Sequence, residues 1–239
     1  MDTAHNRLVQ RLTSIGTLSD DERAALRALP LRTKGFEKGT SLVRQGERPI
    51  ECCLILSGLA CRYKLVVDGK RQILSLHFAG DLPDLQGLQL NVMDHGISAL
   101  TNVSAAFIPH PPMVAMKRAH PNLADLFEKH ALIDASVFRD WIANLGRRSA
   151  YQRLAHLFCE LFVRMRNLGL VDRDGFRLPM TQAELADACG LSPVHVNRVL
   201  QQLRREGLIV TTGDLHSIVD LQGLREAGDF DDVYLHQNN

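Results

Sequence analysis

The spacing of apolar residues along this chain changes twice. Leu18 to Leu29 reads as a short helix, with Ser19 as N-cap and Glu22, three residues on, as the returning half of a capping box. From Leu31 to about Pro109 the apolar residues come in short runs, among them Cys52-Cys53-Leu54-Ile55-Leu56 and Tyr63-Lys64-Leu65-Val66-Val67. Glycines punctuate them at Gly35, Gly39, Gly46, Gly58, Gly69, Gly80, Gly87 and Gly96. Many short strands between glycine turns predict an antiparallel sandwich or roll. Val67-Asp68-Gly69-Lys70 predicts a hairpin, since Asp-Gly supplies the positive φ angles of a tight turn.

Beyond Pro112 the glycines stop and the period lengthens. Leu123, Leu126, Phe127, Ile133, Val137, Trp141 and Leu145 fit one face of a helix from about Pro121 to Leu145, longer than most globular helices. Such a helix between two domains is either buried against its own domain or paired with a second copy. Pairing is favoured, because a palindromic site suits a two-fold dimer. Leu123, Leu126, Phe127, Ile133, Val137 and Trp141 are then the expected dimer contacts. A second helix, from about Ser149 to Leu168, has Leu154, Leu157, Phe158, Leu161, Phe162 and Met165 as its core face and Gly169 at its end. Asp172-Arg173-Asp174-Gly175 reads as a turn, and Phe176-Arg177-Leu178 as a short strand.

Met180 to Val210 carries the most information. Thr181-Gln182-Ala183-Glu184 is a capping box that opens a helix running to about Cys189. Gly190 ends it, and Ser192-Pro193 starts the next helix, serine as N-cap and proline at the first helical position. Two helices separated by so few residues predict a helix-turn-helix. The second, about 193–206, turns Val196, Val199, Leu200 and Leu203 inward. His195, Asn197, Arg198, Gln201, Gln202, Arg204 and Arg205 stay outside, with no carboxylate before Glu206. That face suits the major groove of double-stranded DNA, where arginine reads guanine and asparagine or glutamine reads adenine. Val194 can touch a thymine methyl. After Gly207, Leu208 to Thr212 and Leu215 to Val219 flank Gly213-Asp214 as a β-hairpin, a wing that places Thr211, Thr212 and His216 as candidate phosphate contacts.

Composition changes this picture little. The 239 residues are 45% hydrophobic and 23% charged, ordinary for a globular protein. No apolar run approaches the roughly 18 residues of a membrane helix. Met1 to Gln10 lacks the apolar core of a signal peptide, so a cytoplasmic location is expected. The net charge is only +1, yet Gly146 to Leu178 holds seven arginines against three carboxylates, which permits a phosphate-facing surface there. Five cysteines in such a chain read as reduced thiols, and the ten histidines show no zinc spacing. No P-loop, Gly-x-Ser-x-Gly or kinase signature appears, so no enzyme activity is expected.

The order of β-roll, long helix and winged helix-turn-helix resembles the CRP/FNR superfamily of bacterial transcription regulators, over nearly the whole chain. The most specific carrier is Met180 to Ile209: a threonine-started helix, a glycine turn, a serine-started helix with an inner arginine, and the exit Gly207-Leu208-Ile209. Weaker matches lie from Gly39 to Gly46 and in Leu54-Ile55-Leu56-Ser57-Gly58. The resemblance implies an α+β chain. Its parts would be a β-roll (jelly roll) sensor over 1–115, a dimerisation helix over 116–146, a winged helix-turn-helix over 147–221 and a tail over 222–239. It implies a homodimer on a palindromic promoter site, with RNA polymerase as a further partner. By position, Arg198 matches the family's base-reading arginine, and Thr181 and Ser192 match backbone-phosphate positions. With Gln182, Val194, His195, Asn197, Gln201, Arg204 and Arg205 these form the expected DNA surface.

The match fails where the family usually has arginine and glutamate, because Pro193 and Val194 stand there. His195 and Asn197 are expected to take over part of the readout. It fails again in the roll. A cyclic-nucleotide cassette needs a Gly-Glu pair and a phosphate-binding arginine, and here Pro83-Asp84-Leu85 and Ile97 hold those places. The family's iron–sulfur type has cysteines near the N-terminus, and this chain has none before Cys52. Haem would need an accessible imidazole at His77, His95 or His130. No cofactor or metal is expected, and the signal is an unidentified one. Any ligand pocket would lie near Leu76, Leu85, Leu88 and Phe127. The alternatives are a cyclic-nucleotide- or redox-responsive regulator of the same type and, in another class, a winged helix that makes protein contacts without DNA.

Overall fold

The computed structural model describes residues 2–172 and 175–236. Arg173 and Asp174 of the expected turn lie outside them. The chain divides into two compact units, one formed by residues up to 65 together with 74–136, the other by 66–73 and 137–235.

The first unit holds a two-sheet roll apart from its residues 66–73, which group with the second. Strands β1 (Arg32–Phe36), β2 (Ser41–Val43), β3 (Glu51–Ser57), β4 (Ala60–Leu65), β5 (Arg71–His77), β6 (Gly96–Ala99) and β7 (Val103–Pro109) form sheets ordered β1-β7-β3 and β2-β6-β4-β5. Neighbouring strands pair antiparallel, for example β3 with β7, Cys53 opposite Phe107, and β4 with β6, Cys61 opposite Ser98. Strand β3 explains its unbroken apolar run, because both of its faces are covered. Cys53 and Ile55 pack between the sheets with Val43, Ile97 and Phe107. Cys52 and Leu54 face a helical layer. The β4–β5 hairpin closes with Val66 N–H donating to the Lys70 carbonyl at 2.9 Å. Only Gly69 there has a positive φ, 72°, so the loop has three residues instead of the tighter two-residue Asp-Gly turn.

The helical layer contains α1 (Asp2–Thr13), α2 (Asp20–Arg27), α3 (His110–Ala119) and the first part of the 27-residue α4 (Pro121–Arg147). Helix α2 has the expected Ser19–Glu22 capping box. Helix α1 is an addition to the sequence reading, and it corrects the expected dimer stripe. Ala4, Leu8 and Leu12 recur at four-residue steps and share one core cluster with Leu123, Leu126, Phe127 and Ile133. Val137 and Trp141 are 7% and 6% exposed within the second unit. All six residues assigned to dimer contact are therefore covered by their own chain. The side of α4 that remains open bears Leu132 and Ile142, 59% and 71% exposed, with Ala135 and Phe138 between them partly so.

The second unit is built around α5 (Ala150–Asn167), whose Leu154, Leu157, Phe158, Leu161, Phe162 and Met165 are buried. Around it stand α6 (Gln182–Cys189), α7 (Pro193–Arg205), α8 (Leu221–Gly228) and a sheet ordered β10-β11-β9-β8. Its strands are β8 (Val171–Asp172), β9 (Gly175–Arg177), β10 (Ile209–Thr212) and β11 (Leu215–Ile218). Residues 222–235 of the stretch expected as a tail are part of this unit. At Gly228 a Cβ would sit 2.6 Å from the His156 backbone nitrogen, so only glycine lets α8 lie this close to α5. The fully buried Glu160 carboxylate accepts from Trp141 Nε1 at 2.9 Å, Tyr234 Oη at 3.0 Å and Arg164 Nη1 at 3.1 Å. A buried carboxylate needs such donors, and Tyr234 supplies one from the C-terminal stretch.

Candidate nucleic-acid interface

Local chemistry sets each terminus of the helix pair. Thr181 Oγ1 accepts from Glu184 N–H at 3.2 Å while Thr181 N–H donates to the Glu184 carboxylate at 2.6 Å, which starts α6. Gly190 takes the left-handed conformation, φ 62° and ψ 42°, where a side chain would be strained. Leu191 N–H returns to the Ala186 carbonyl at 3.0 Å. Ser192 Oγ then accepts from His195 N–H at 3.2 Å and Pro193 occupies the first turn of α7. Val196, Val199, Leu200 and Leu203 are buried as expected, which fixes the rotation of α7 about its axis.

That rotation gathers five of the ten expected DNA residues. Gln182, Pro193, Val194, Asn197, Arg198 and Gln201 line one shallow concavity of about 410 Å³. Val194 is 81% exposed. Asn197 Nδ2 donates to Gln182 Oε1 at 3.3 Å. His195 is half-buried and does not line this concavity; Arg205 is exposed beyond it. Among the described residues neither Arg198 nor Arg204 forms an ion pair, so both guanidinium groups stand ready for an outside anion or base edge. A second concavity, about 390 Å³, lies where Thr181, Gln182 and Arg204 meet Thr211 and Gly213 of the wing. Ser192 and Thr181 are exposed at their helix starts, where unpaired backbone N–H groups suit phosphate.

The structure modifies two expectations. His216, expected as a phosphate contact, lines the second concavity but is almost wholly covered. It is 6% exposed, lies edge-on to Phe158 with ring centroids 5.0 Å apart, and shares a hydrogen bond with Thr211 Oγ1 at 3.1 Å. Burial, with Arg204 nearby, pushes its pKa down to about 4 from 6.5, so the ring is neutral. Because the folded value lies below the unfolded one, the stability tied to neutral His216 is present above about pH 6.5 and is lost as the pH falls towards 4. His216→Leu should therefore flatten the fall in the second unit's stability over that window, as read by urea unfolding at stepped pH.

Part of the arginine excess between Gly146 and Leu178 is also tied up by partners within the chain. Arg148 pairs with Asp140 at 3.2 Å, Arg164 with Glu160 at 3.1 Å and Arg177 with Asp214 at 2.6 Å, while Arg153 donates to the Arg148 and Cys189 carbonyls.

Inside the roll lies a polar cluster that the sequence reading missed. Arg62 of β4, 2% exposed, donates to the Pro83 carbonyl at 2.6 Å and pairs with Asp134 of α4. Around it are His77, Asp81, Asp84 and His130, all buried. Burial pushes Asp84 up to about 7 and His130 down to about 3. Nothing local in the sequence announces this pairing, since Arg62 and Asp134 stand 72 residues apart.

These residues do not fit a cyclic nucleotide. Ile97 is fully buried among apolar neighbours where the phosphate-binding arginine would be needed, and the arginine that is inside already has a carboxylate partner. The suggested pocket residues Leu76, Leu85 and Phe127 are buried, and Leu85 and Phe127 belong to one core cluster with Leu88 packed against it. The three histidines weighed for haem are also buried. His77 Nε2 meets Ser75 Oγ at 2.8 Å, and His95 Nδ1 lies 2.9 Å from the Asp94 carboxylate. All five cysteines are buried free thiols, and among the described residues no group of three His, Cys, Asp or Glu side chains could hold a metal.

Comparison with known proteins follows this geometry. Residues 152–227 match the model of the Crp-like helix-turn-helix domain, and residues 33–120 that of the cyclic nucleotide-binding domain. The chain is 28% identical over 204 residues to the transcriptional activator protein FnrL of Cereibacter sphaeroides, covering 83% of this chain and 82% of that protein. It is 30% identical over 206 residues to a probable transcriptional activator of Rhizobium leguminosarum bv. viciae, covering 85% and 83%. Among solved structures, FixK2 from Bradyrhizobium japonicum superposes with a TM-score of 0.76 at 22% identity, over 83% of this chain and 98% of that one, a likeness of fold.

Proposed function

The chain belongs to the CRP/FNR superfamily of transcription regulators and is a DNA-binding regulator; from that premise we propose that it binds an inverted-repeat promoter site as a homodimer, one α7 in each major groove. The observation that carries this reading is the outer stripe of α7. It presents Val194, Asn197, Arg198, Gln201, Arg204 and Arg205 with no carboxylate among them. Thr181, Ser192, Thr211 and Thr212 flank it as phosphate contacts. The dimer seam is the open side of α4, through Leu132, Ala135, Phe138 and Ile142, at coiled-coil-like steps of three and four. The work is binding, with RNA polymerase as the second partner at the promoter and the cytoplasm as its place. Among the described residues no helix is long and apolar enough to cross a membrane. The signal that modulates occupancy is something other than a cyclic nucleotide.

Selection from a random DNA library tests the reading. The full chain should enrich an inverted repeat, with affinity falling steeply as salt rises. Ile142→Glu should sediment as a monomer and lose the second half-site. Enrichment of no repeat, or a monomeric parent protein, would overturn it.

A further inference from the structure

We propose that Gln182, at the start of α6, is a positioning residue that fixes the amide of Asn197 and so makes Asn197 an adenine reader. The inference rests on the placement of α7 in the major groove and adds what one position of the half-site must be.

The argument is a count of hydrogen-bonding groups. An asparagine amide has two N–H donors and one carbonyl oxygen. Asn197 gives one donor to Gln182 Oε1, at 3.3 Å. One N–H and the oxygen Oδ1 remain, side by side, on the rim of the concavity that Gln182, Val194, Asn197 and Arg198 share. In the major groove adenine offers the acceptor N7 beside the donor N6, the complement of that remaining pair. Guanine offers two acceptors there and cannot satisfy Oδ1. A free asparagine amide rotates and can present its groups in either order. The Gln182 oxygen selects the order in which Nδ2 lies towards α6. Gln182 is exposed and half-buried Asn197 leans across to it, so neither is held by the core. Val194 stands one helical turn before Asn197, 81% exposed, and offers an apolar surface to a thymine methyl in the neighbouring pair.

The test is site selection with the full chain and two variants, Gln182→Ala and Gln182→Glu, each followed by titration against the selected site and its single-base changes. Glutamate keeps an oxygen that accepts from Asn197, whereas alanine does not. The parent protein should prefer adenine at one half-site position by about ten-fold or more, the discrimination of a bidentate contact. Gln182→Ala should reduce that preference to about two-fold there, with the other positions and the salt slope unchanged, since no charge is removed. Gln182→Glu should bind more weakly at every sequence, because it adds a negative charge, and still prefer adenine. Retention of the full adenine preference by Gln182→Ala would overturn the inference while leaving the placement of α7 intact. Failure of the parent protein to select any repeat would overturn the placement and this inference together.

Discussion

Asp134→Ala should destabilise the first unit by about 3–5 kcal/mol, because it leaves the guanidinium of Arg62 buried without its carboxylate. Arg62 is 2% exposed and cannot reach water by turning, and the Pro83 carbonyl to which it also donates carries no charge. Removing both charges is a different experiment. Arg62→Met with Asp134→Leu exchanges the pair for apolar side chains of similar length, and such replacements are often neutral or stabilising. The double variant should recover most of the loss, short of the hydrogen bond to Pro83. Urea unfolding followed by far-ultraviolet dichroism reads the change. The fluorescence of Trp141, the single tryptophan and a residue of the second unit, reports on that unit separately. Equal stability of Asp134→Ala and the parent protein would show that water reaches Arg62 after all.

Arg198→Ala should lower affinity for the selected DNA site by about 1–3 kcal/mol, roughly five- to 160-fold, and relax the preference for guanine at one position. Arg198 stands on the outer stripe of α7 with Val194 and Gln201, far from the buried residues that hold the helix, so the fold should not notice the change. Arg204 gives the contrast. It lies beside Thr181 and Thr211 in the second concavity. Arg204→Ala should weaken binding alike at all sequences and lower the salt slope by about one. Anisotropy titrations on selected and scrambled duplexes at two salt concentrations separate the outcomes. If Arg198→Ala lost affinity equally on both duplexes, its role would be phosphate binding and not base reading.

The helix-turn-helix was legible because its signals are local. Thr181 with Glu184, Gly190, and Ser192 with Pro193 each act within one helical turn, so sequence alone suffices to place α6 and α7. The long helix was legible for the same reason, but its covering was not. Periodicity says which side of α4 is apolar and is silent about what lies against it. Once α1 went unrecognised, Leu123 and Phe127 had no visible cover within the chain, and a second copy was the natural partner. The steps of Ala4, Leu8 and Leu12 were the signal that could have found α1. His216 was read by its chemistry, since a polar residue in a wing suggests phosphate. The alternation in β11, where His216 and Ile218 are both buried, puts it on the inner face. Arg62 and Asp134 belong to a third kind, a pair joined only by the tertiary fold.

The five thiols are distributed so that the chain carries its own reporters of local opening. Cys52 and Cys53 are neighbours in β3 yet face opposite layers, and with Cys61 they lie in the first unit; Cys159 and Cys189 lie in the second. Burial pushes Cys52, Cys53, Cys159 and Cys189 well up, the last two to about 12, so these four offer alkylating reagents little thiolate at neutral pH while the chain is folded. A cysteine reacts when the structure around it opens. Timed alkylation followed by peptide mapping thus gives each unit its own clock, without any label added to the protein.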